Sequence, residues 1–341
     1  MTASGQMGFA VVGLGNIAKS SILPAFRNSK NAKLVALVGR DKGEALKLAR
    51  KFPGCAVYEP EEFAECVTHR AVGAVYISTP QASHLRYTQL AARAGKHVLC
   101  EKPLAATVQQ SARMVRACRE SGVQLMTAYR KCFEPSTIYL KQLISRGELG
   151  RIDTISTAFS ELHIAGVSPT WMLDREQAGG GPLMDLGVYC VHTSRWMVDE
   201  DPAQVSAVSW QHDKKRFRSV EEGISFRMRF PSGLVVQGCS TYSGATSSFL
   251  FVQGAKGWVS LSPAFPFDEE RIVTGKIGGK LFSKRFNVMD EFAPEIDAFA
   301  AAIREGRPVT PDGAQGHRDM CILDAIYQSA RKRKPVVVKY S

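Results

Sequence analysis

The sequence predicts an α/β protein: an N-terminal Rossmann doubly wound parallel sheet followed by a C-terminal α+β domain built on a mostly antiparallel open sheet. Three observations carry this. Up to about residue 128, apolar strand runs alternate with helical patterns of roughly 10–15 residues, the pattern of βαβ units. A glycine-rich turn, Gly13-Leu14-Gly15, closes the first of those strands. Past about residue 150, strand patterns follow one another with few helices between them, as in an antiparallel sheet.

The elements can be justified in order. The run 9–12 is a short apolar strand, and 17–28 reads as a helix. Residues 33–38 form a second strand and 42–52 a charged amphipathic helix. Residues 74–77 are a third strand, followed by a helix over 82–94 that stops at Gly95. Residues 97–100 are a fourth strand. The helix over 107–120 is capped by Thr107 and ended by Gly122, and 123–128 is a fifth strand. Such a sheet binds ligands beyond the carboxyl ends of its strands. The second domain, 129–341, carries strands over 152–163, 203–212, 220–230, 234–242, 248–253 and 257–261. Pro231-Ser232-Gly233 is a hairpin turn signal. Helices are predicted over 181–198, 294–304 and 313–332, the last of them packing back on the first domain.

Composition narrows the function. A chain of 341 residues suits two domains. With 45% apolar and 22% charged residues it is neither disordered nor fibrous. No apolar run reaches the roughly 18–20 residues of a membrane span. The start is short and polar, without room for a secretory or transit peptide, so a cytoplasmic location is expected. Eight cysteines stand alone, with no CxxC and no Cys/His pairing at zinc spacing. They read as buried reduced thiols, and no metal is expected. The net charge of +12 favours anionic ligands such as phosphates. It is spread along the chain without a recognised nucleic-acid module, so no nucleic-acid partner is expected. The one dense run, Arg331-Lys332-Arg333-Lys334, follows a helix pattern and complements the carbonyl end of its dipole.

Gly13-Leu14-Gly15-Asn16-Ile17-Ala18 is G-x-G-x-x-A between strand and helix. Gly13 permits the tight turn, Gly15 lets a pyrophosphate approach the backbone, and Ala18 lets helix and strand pack closely. The free N–H groups at the helix start, with Asn16 and Ile17, hold the phosphates. At the end of the second strand, where an NAD site usually places a carboxylate, stands Gly39, followed by Arg40, Asp41 and Lys42. A glycine leaves room, and the cations of Arg40 and Lys42 suit a 2′-phosphate, which favours NADP. The alternative is NAD, with Asp41 serving the ribose. Thr79 and Pro80 close the third strand, Glu101 and Lys102 the fourth. His84, one turn into the next helix, reads either as a cofactor or substrate contact or as a helix histidine with no ligand.

These residues, and above all Gly95-Lys96-His97-Val98-Leu99-Cys100-Glu101-Lys102-Pro103, resemble the glucose–fructose oxidoreductase/inositol dehydrogenase (Gfo/Idh/MocA) family. The likeness runs on through Ala128-Tyr129-Arg130 and Gly147-Glu148-Leu149-Gly150. It continues in Gly179-Gly180-Gly181-Pro182-Leu183-Met184-Asp185-Leu186-Gly187-Val188-Tyr189 and in Gly254-Ala255-Lys256-Gly257-Trp258, and so covers nearly the whole chain. The resemblance implies that Lys102 sits beside the nicotinamide and touches the substrate hydroxyl, facing Asp185 and Tyr189 from the second domain. Tyrosine at 189 is similar to the glucose–fructose oxidoreductase, xylose and dihydrodiol dehydrogenase branch. Positions i and i+4 share a helix face, so Asp185 and Tyr189 can point into one cleft. The assigned chemistry is hydride transfer between NADP(H) and a sugar or polyol carbinol. Tyr189 acts as acid/base, Lys102 polarises the oxygen and stabilises the phenolate, and Asp185 orients the hydroxyls.

Glu101, Arg130 and Trp171 join the expected cofactor contacts, and His163 the substrate contacts. His192 is a further candidate for a sugar contact, as against a structural histidine. The Trp-Arg dipeptide that the resemblance implies at the head of the loop before the glycine run is absent here: Met172 follows Trp171, and the arginine comes later as Arg175. Two other functions are weighed. The same residues could serve a reductase of a keto-sugar or a trans-dihydrodiol dehydrogenase. A non-catalytic dinucleotide-binding sensor is the third reading, and the presence of both Lys102 and Tyr189 argues against it. The resemblance also implies a homodimer or homotetramer formed through the C-terminal sheet, whose second face is expected to be open.

Overall fold

In the computed structural model, which describes residues 5–163 and 168–340, the alternating N-terminal segments form a six-stranded parallel sheet. Its strands are β1 (Met7–Val12), β2 (Ala32–Val38), β3 (Ala56–Tyr58), β4 (Ala74–Ile77), β5 (His97–Glu101) and β6 (Leu125–Ala128). They lie in the order 3-2-1-4-5-6. The crossovers contain α1 (Leu23–Asn28), entered through a wide helical turn Ala18–Ile22, then α2 (Lys42–Ala49), α3 (Phe63–Thr68), α4 (His84–Arg93) and α5 (Val108–Glu120). β1 and β4 are covered on both faces, which is why their sequences run apolar without alternation. The Thr107 hydroxyl accepts the Gln110 N–H at 3.2 Å, so the predicted cap of α5 is in place. Chain order reverses between β1 and β4, and the carboxyl ends of those strands flank the crevice where such sheets take a ligand.

A second sheet has nine strands. Its elements run α6 (Pro135–Ser145), β7 (Ile152–Ser160), α7 (Arg175–Ala178), α8 (Val188–Val198), β8 (Gln204–Trp210), β9 (Gly223–Arg229) and β10 (Val235–Thr241). They continue with β11 (Ser247–Gly254), β12 (Gly257–Ser262), β13 (Arg271–Ile277) and β14 (Lys280–Phe286). After them come α9 (Phe292–Arg304), α10 (Gly313–Lys332) and the edge strand β15 (Val336–Val337). The order is 14-13-12-11-7-10-9-8-15, and every pair is antiparallel except β7–β10. In β9, Ile224, Phe226 and Met228 are buried while Ser225, Arg227 and Arg229 are exposed. That alternation marks a sheet with one covered and one open face. α8 packs against β7 and β10. The hairpin β13–β14, absent from the sequence reading, turns on Gly278 and Gly279, both at positive φ (56° and 84°).

The boundary between units differs from the expected one. Residues up to Arg130 together with Asp290–His317 make one unit, and Lys131–Met289 with Arg318 onward make the other. Segment 290–317 therefore leaves the domain expected to hold all of 129–341, and side chains far apart in sequence explain why. On α9, the Asp297 carboxylate accepts the Ser29 hydroxyl at 2.6 Å and the N–H groups of Lys30 and Asn31 at 2.9 and 2.8 Å. Two residues on, the Phe299 ring lies 5.7 Å from that of Phe9, which also meets Phe26 at 5.3 Å. Thr127 at the end of β6 donates its N–H to the Pro311 carbonyl at 3.0 Å. Among the described residues no helix is long and apolar enough to cross a membrane.

Candidate active site

Gly13 sits at φ +91°, and a Cβ there would lie 2.6 Å from the Ser78 carbonyl oxygen, so only glycine fits. The Ser78 hydroxyl donates to the Gly13 carbonyl at 2.8 Å and ties the end of β4 to this turn. Around Gly15 the opposite holds: a Cβ would meet nothing within 4 Å. Gly15 and Asn16 are exposed, Ile17 is half-buried, and Ala18 is wholly buried beneath them. Open space above a bare backbone at a helix start fits a dinucleotide's pyrophosphate. Gly39 has a structural reason of its own, since a Cβ there would press within 2.6 Å of the Leu14 side chain. Arg40 and Lys42 are exposed beside it. Asp41 is already engaged: its carboxylate accepts the Glu44 N–H at 2.8 Å and caps α2.

Thr79 and Pro80 are half-buried at the end of β4, and the Ser83 hydroxyl donates to Thr79 Oγ1 at 2.7 Å. His84 differs from the expected cofactor contact. It has no exposed surface, and its ring nitrogens lie 2.8 Å from the Thr79 carbonyl and 3.1 Å from that of Leu104. Burial pushes its pKa down, so the neutral ring braces the loops that follow β4 and β5 from behind.

At the end of β5 the Glu101 carboxylate accepts the Tyr76 hydroxyl at 2.8 Å and the Lys102 N–H at 3.2 Å. Glu101 thus holds the backbone N–H of Lys102, whose next peptide, Lys102–Pro103, is cis. Burial raises the Glu101 pKa, and the Lys102 ammonium and the Tyr76 hydrogen bond oppose it. Arg130, expected among the cofactor contacts, is 6% exposed and paired with Glu291, its guanidinium 5.8 Å from the Phe292 ring. Nearby, Glu295 is wholly buried. Burial first, then the neighbouring Glu101, push its carboxyl well above the usual range.

In the second unit the glycine run is explained residue by residue. Gly179, at φ +79°, ends α7. A Cβ on Gly180 would fall 2.0 Å from the Tyr327 hydroxyl, and one on Gly181 2.5 Å from the Glu221 carbonyl oxygen. These glycines admit the buried Glu221 carboxylate. It accepts the Gly181 N–H (3.1 Å), the Leu183 N–H (3.0 Å) and the Tyr327 hydroxyl (2.8 Å). Glu221 thereby satisfies the open donors at the start of the wide helical turn Leu183–Gly187, which runs into α8. Gly187 lets that helix approach β10, since a Cβ would lie 2.9 Å from Ser240 Oγ.

Asp185 sits in this turn and Tyr189 in the first turn of α8. The Tyr242 hydroxyl donates to Asp185 Oδ2 at 3.1 Å. The Tyr189 ring packs against Phe159 (5.8 Å) and Phe265 (5.7 Å). His163 stands 5.5 Å from the Tyr242 ring, ring to ring, and its Nδ1 accepts from Arg216 at 2.8 Å. Burial lowers its pKa, while Asp185 acts in the other direction. Asp185, Tyr242 and His163 therefore form one polar cluster, with Tyr189 one turn along the same helix. Trp171 is half-buried in a short helical turn, Thr170–Leu173, and Arg175 lies over the Tyr327 ring at 5.6 Å.

Sequence reasoning did not pick out Glu221, Tyr242 or Tyr76. The available signal was a pair of carboxylates, Glu221-Glu222, heading an otherwise alternating strand. Among the described residues no group of three His, Cys, Asp or Glu side chains could hold a metal ion.

A glycine-turn parallel sheet joined to an open-sheet unit with a paired acid and phenol defines a dinucleotide-binding oxidoreductase. Residues 7–129 match the Gfo/Idh/MocA model described as an oxidoreductase family with an NAD-binding Rossmann fold, and residues 137–260 match the Gfo/Idh/MocA C-terminal domain. The chain belongs to this family of oxidoreductases. It is 29% identical over 333 residues to the D-xylose 1-dehydrogenase [NADP(+)] of Haloarcula marismortui, covering 96% of this chain and 92% of that one. Mouse trans-1,2-dihydrobenzene-1,2-diol dehydrogenase is 29% identical over 273 residues, covering 79% and 78%. Among solved structures, the aldose-aldose oxidoreductase of Caulobacter crescentus, complexed with glycerol, superposes with a TM-score of 0.92 at 33% identity, covering 97% and 99%.

Proposed function

We propose that the protein transfers a hydride between NADP(H) and the carbinol or carbonyl of a sugar or related polyol. The observation that carries this reading is the Asp185–Tyr189 helix start, locked by Glu221 and Tyr242, in a chain whose relatives act on aldoses and diols. When bound, the nicotinamide supplies the hydride acceptor or donor. Tyr189 Oη exchanges the proton of the substrate hydroxyl. The Lys102 ammonium stabilises the negative charge that develops on that oxygen. Asp185, one of whose oxygens is held by Tyr242, accepts from a neighbouring substrate hydroxyl and sets its orientation. Gly13, Gly15, Asn16 and Ile17 take the pyrophosphate. Arg40 and Lys42 take the 2′-phosphate, a reading supported by the commitment of Asp41 to the α2 cap. Self-association through the second sheet agrees with the exposure of Phe249 (41%) and Leu281 (74%) on β11 and β14.

The test has two parts. The cofactor released from purified protein by denaturation is identified by mass, and aldoses and polyols are screened for reduction of added NADP. Bound or preferred NADP with turnover of at least one aldose supports the reading. Turnover of no carbinol or carbonyl substrate with either dinucleotide rejects it in favour of a binding protein.

A further inference from the structure

We propose that Cys132, His192 and Asp319 form a thiol–imidazole–carboxylate relay that makes Cys132 a site of covalent modification by peroxide and alkylating electrophiles. The three residues come from the turn before α6, from α8 and from α10, all in the second unit. Cys132 Sγ lies 3.4 Å from His192 Nε2, within hydrogen-bond reach for sulfur. His192 Nδ1 lies 2.8 Å from Asp319 Oδ2. The Asp319 carboxylate is wholly buried and its other oxygen accepts from Arg195, which is itself paired with Asp201. A carboxylate so fixed accepts a hydrogen bond from Nδ1–H, which turns the Nε2 lone pair toward sulfur. Burial keeps the ring below its ordinary pKa, against the pull of Asp319, so the imidazole rests neutral beside the thiol. Nucleophile, base and orienting carboxylate in this sequence of contacts are the geometry of an activated nucleophile.

The other thiols differ. Burial pushes those of Cys55, Cys66, Cys118 and Cys190 up to about 12 and raises those of Cys100 and Cys239. Cys321 is 4% exposed; Cys132 is half-buried like Cys55 and Cys239, and it differs from those two in the His192 imidazole beside its sulfur. With hydrogen peroxide, sulfur attacks one oxygen and the O–O bond breaks. The thiol proton passes by way of Nε2 to the departing hydroxide, giving sulfenic acid and water: sulfur is oxidised by two electrons and peroxide reduced. With iodoacetamide the C–S bond forms as C–I breaks, iodide leaves, and the proton remains on the imidazole.

The experiment is timed labelling of the folded, full-length protein. One arm uses iodoacetamide and the other peroxide followed by a sulfenic-acid trap, each read by peptide mass mapping. Cys132 is expected to label about tenfold faster than any other cysteine, and His192→Gln to slow it about tenfold while the remaining cysteines keep their rates. Should His192→Gln not fold, Cys132→Ser is read instead for disappearance of the fast phase of total thiol labelling. Labelling of Cys132 no faster than the others, an unchanged Cys132 rate in His192→Gln, or a fast phase that survives Cys132→Ser overturns the proposal. None of these readouts depends on turnover, so they stand apart from any result on the hydride-transfer reading.

Discussion

The turn after β1 and the helix start that carries Asp185 solve opposite problems with the same residue type. In the first, glycine leaves space empty: nothing lies within 4 Å of a Cβ on Gly15, so backbone N–H groups stay open to a ligand. In the second, glycine lets the protein fill the space itself. Gly180 and Gly181 admit Tyr327 and the Glu221 carboxylate, which consume the donors that a ligand would otherwise meet. On the proposed reading, one helix start takes an anion from outside. The other is filled by the protein's own Glu221 carboxyl group, and the side chains that follow are Asp185 and Tyr189. A glycine-rich helix start is therefore a ligand site only where no buried carboxylate already occupies it.

The largest expected effect tests the chemical half of that contrast. Tyr189→Phe should lower kcat about 10²–10⁴-fold with the fold intact, as loss of a proton-transfer group does, and Lys102→Ala should act similarly. Near-normal turnover in either would remove the assigned roles. Next, Glu221→Ala should destabilise the second unit by about 2–4 kcal/mol, because three buried donors lose their acceptor at once. Urea unfolding measures it. A change under about 0.5 kcal/mol would mean that the Glu221 carboxyl group does not hold the helix start.

Glu295→Gln offers a pH-dependent test inside the first unit. The native state keeps the Glu295 proton to a higher pH than the unfolded chain, whose carboxyl ionises near its ordinary value. Its contribution is therefore least unfavourable at acid pH, and stability is lost as pH rises above the unfolded value toward the folded one. The neutral amide removes that slope. Its Tm should exceed that of the parent by about 2 °C near about pH 8, with the gap closing near about pH 5. A gap constant with pH would mean that Glu295 is not neutral in the fold. The smallest effect is at the open turn: Arg40→Ala should weaken NADP binding about fivefold and leave NAD unchanged, read by fluorescence titration. Equal losses for both dinucleotides would assign Arg40 no part in reading the 2′-phosphate.

How much was legible in the sequence follows the same division. The parallel sheet and the turn could be read because their causes are local: Gly13 and Gly15 act on their own backbone, and β1 and β4 are continuous apolar runs. β3 was missed because three residues, Ala56-Val57-Tyr58, carry too little pattern. β14 was missed because charged residues on an exposed edge conceal its period. Asp185 and Tyr189 were singled out through their flanking motif. Glu221, Tyr327 and Tyr242, which hold them, lie about 40 to more than 100 residues away in the chain, and apart from the Glu221-Glu222 pair they leave no local signal. His84 stayed open between a ligand contact and a helix histidine because burial at a helix start cannot be seen from residue type.

The clasp of Asp297 on Ser29, Lys30 and Asn31 has a practical consequence. A fragment cut after Arg130 would contain the complete glycine signature and all six parallel strands, yet lack the helix that shields Phe9. Ribosomal synthesis must therefore deliver nearly the entire polypeptide before the nucleotide-binding half can finish folding, even though every residue that announces that half has long since emerged.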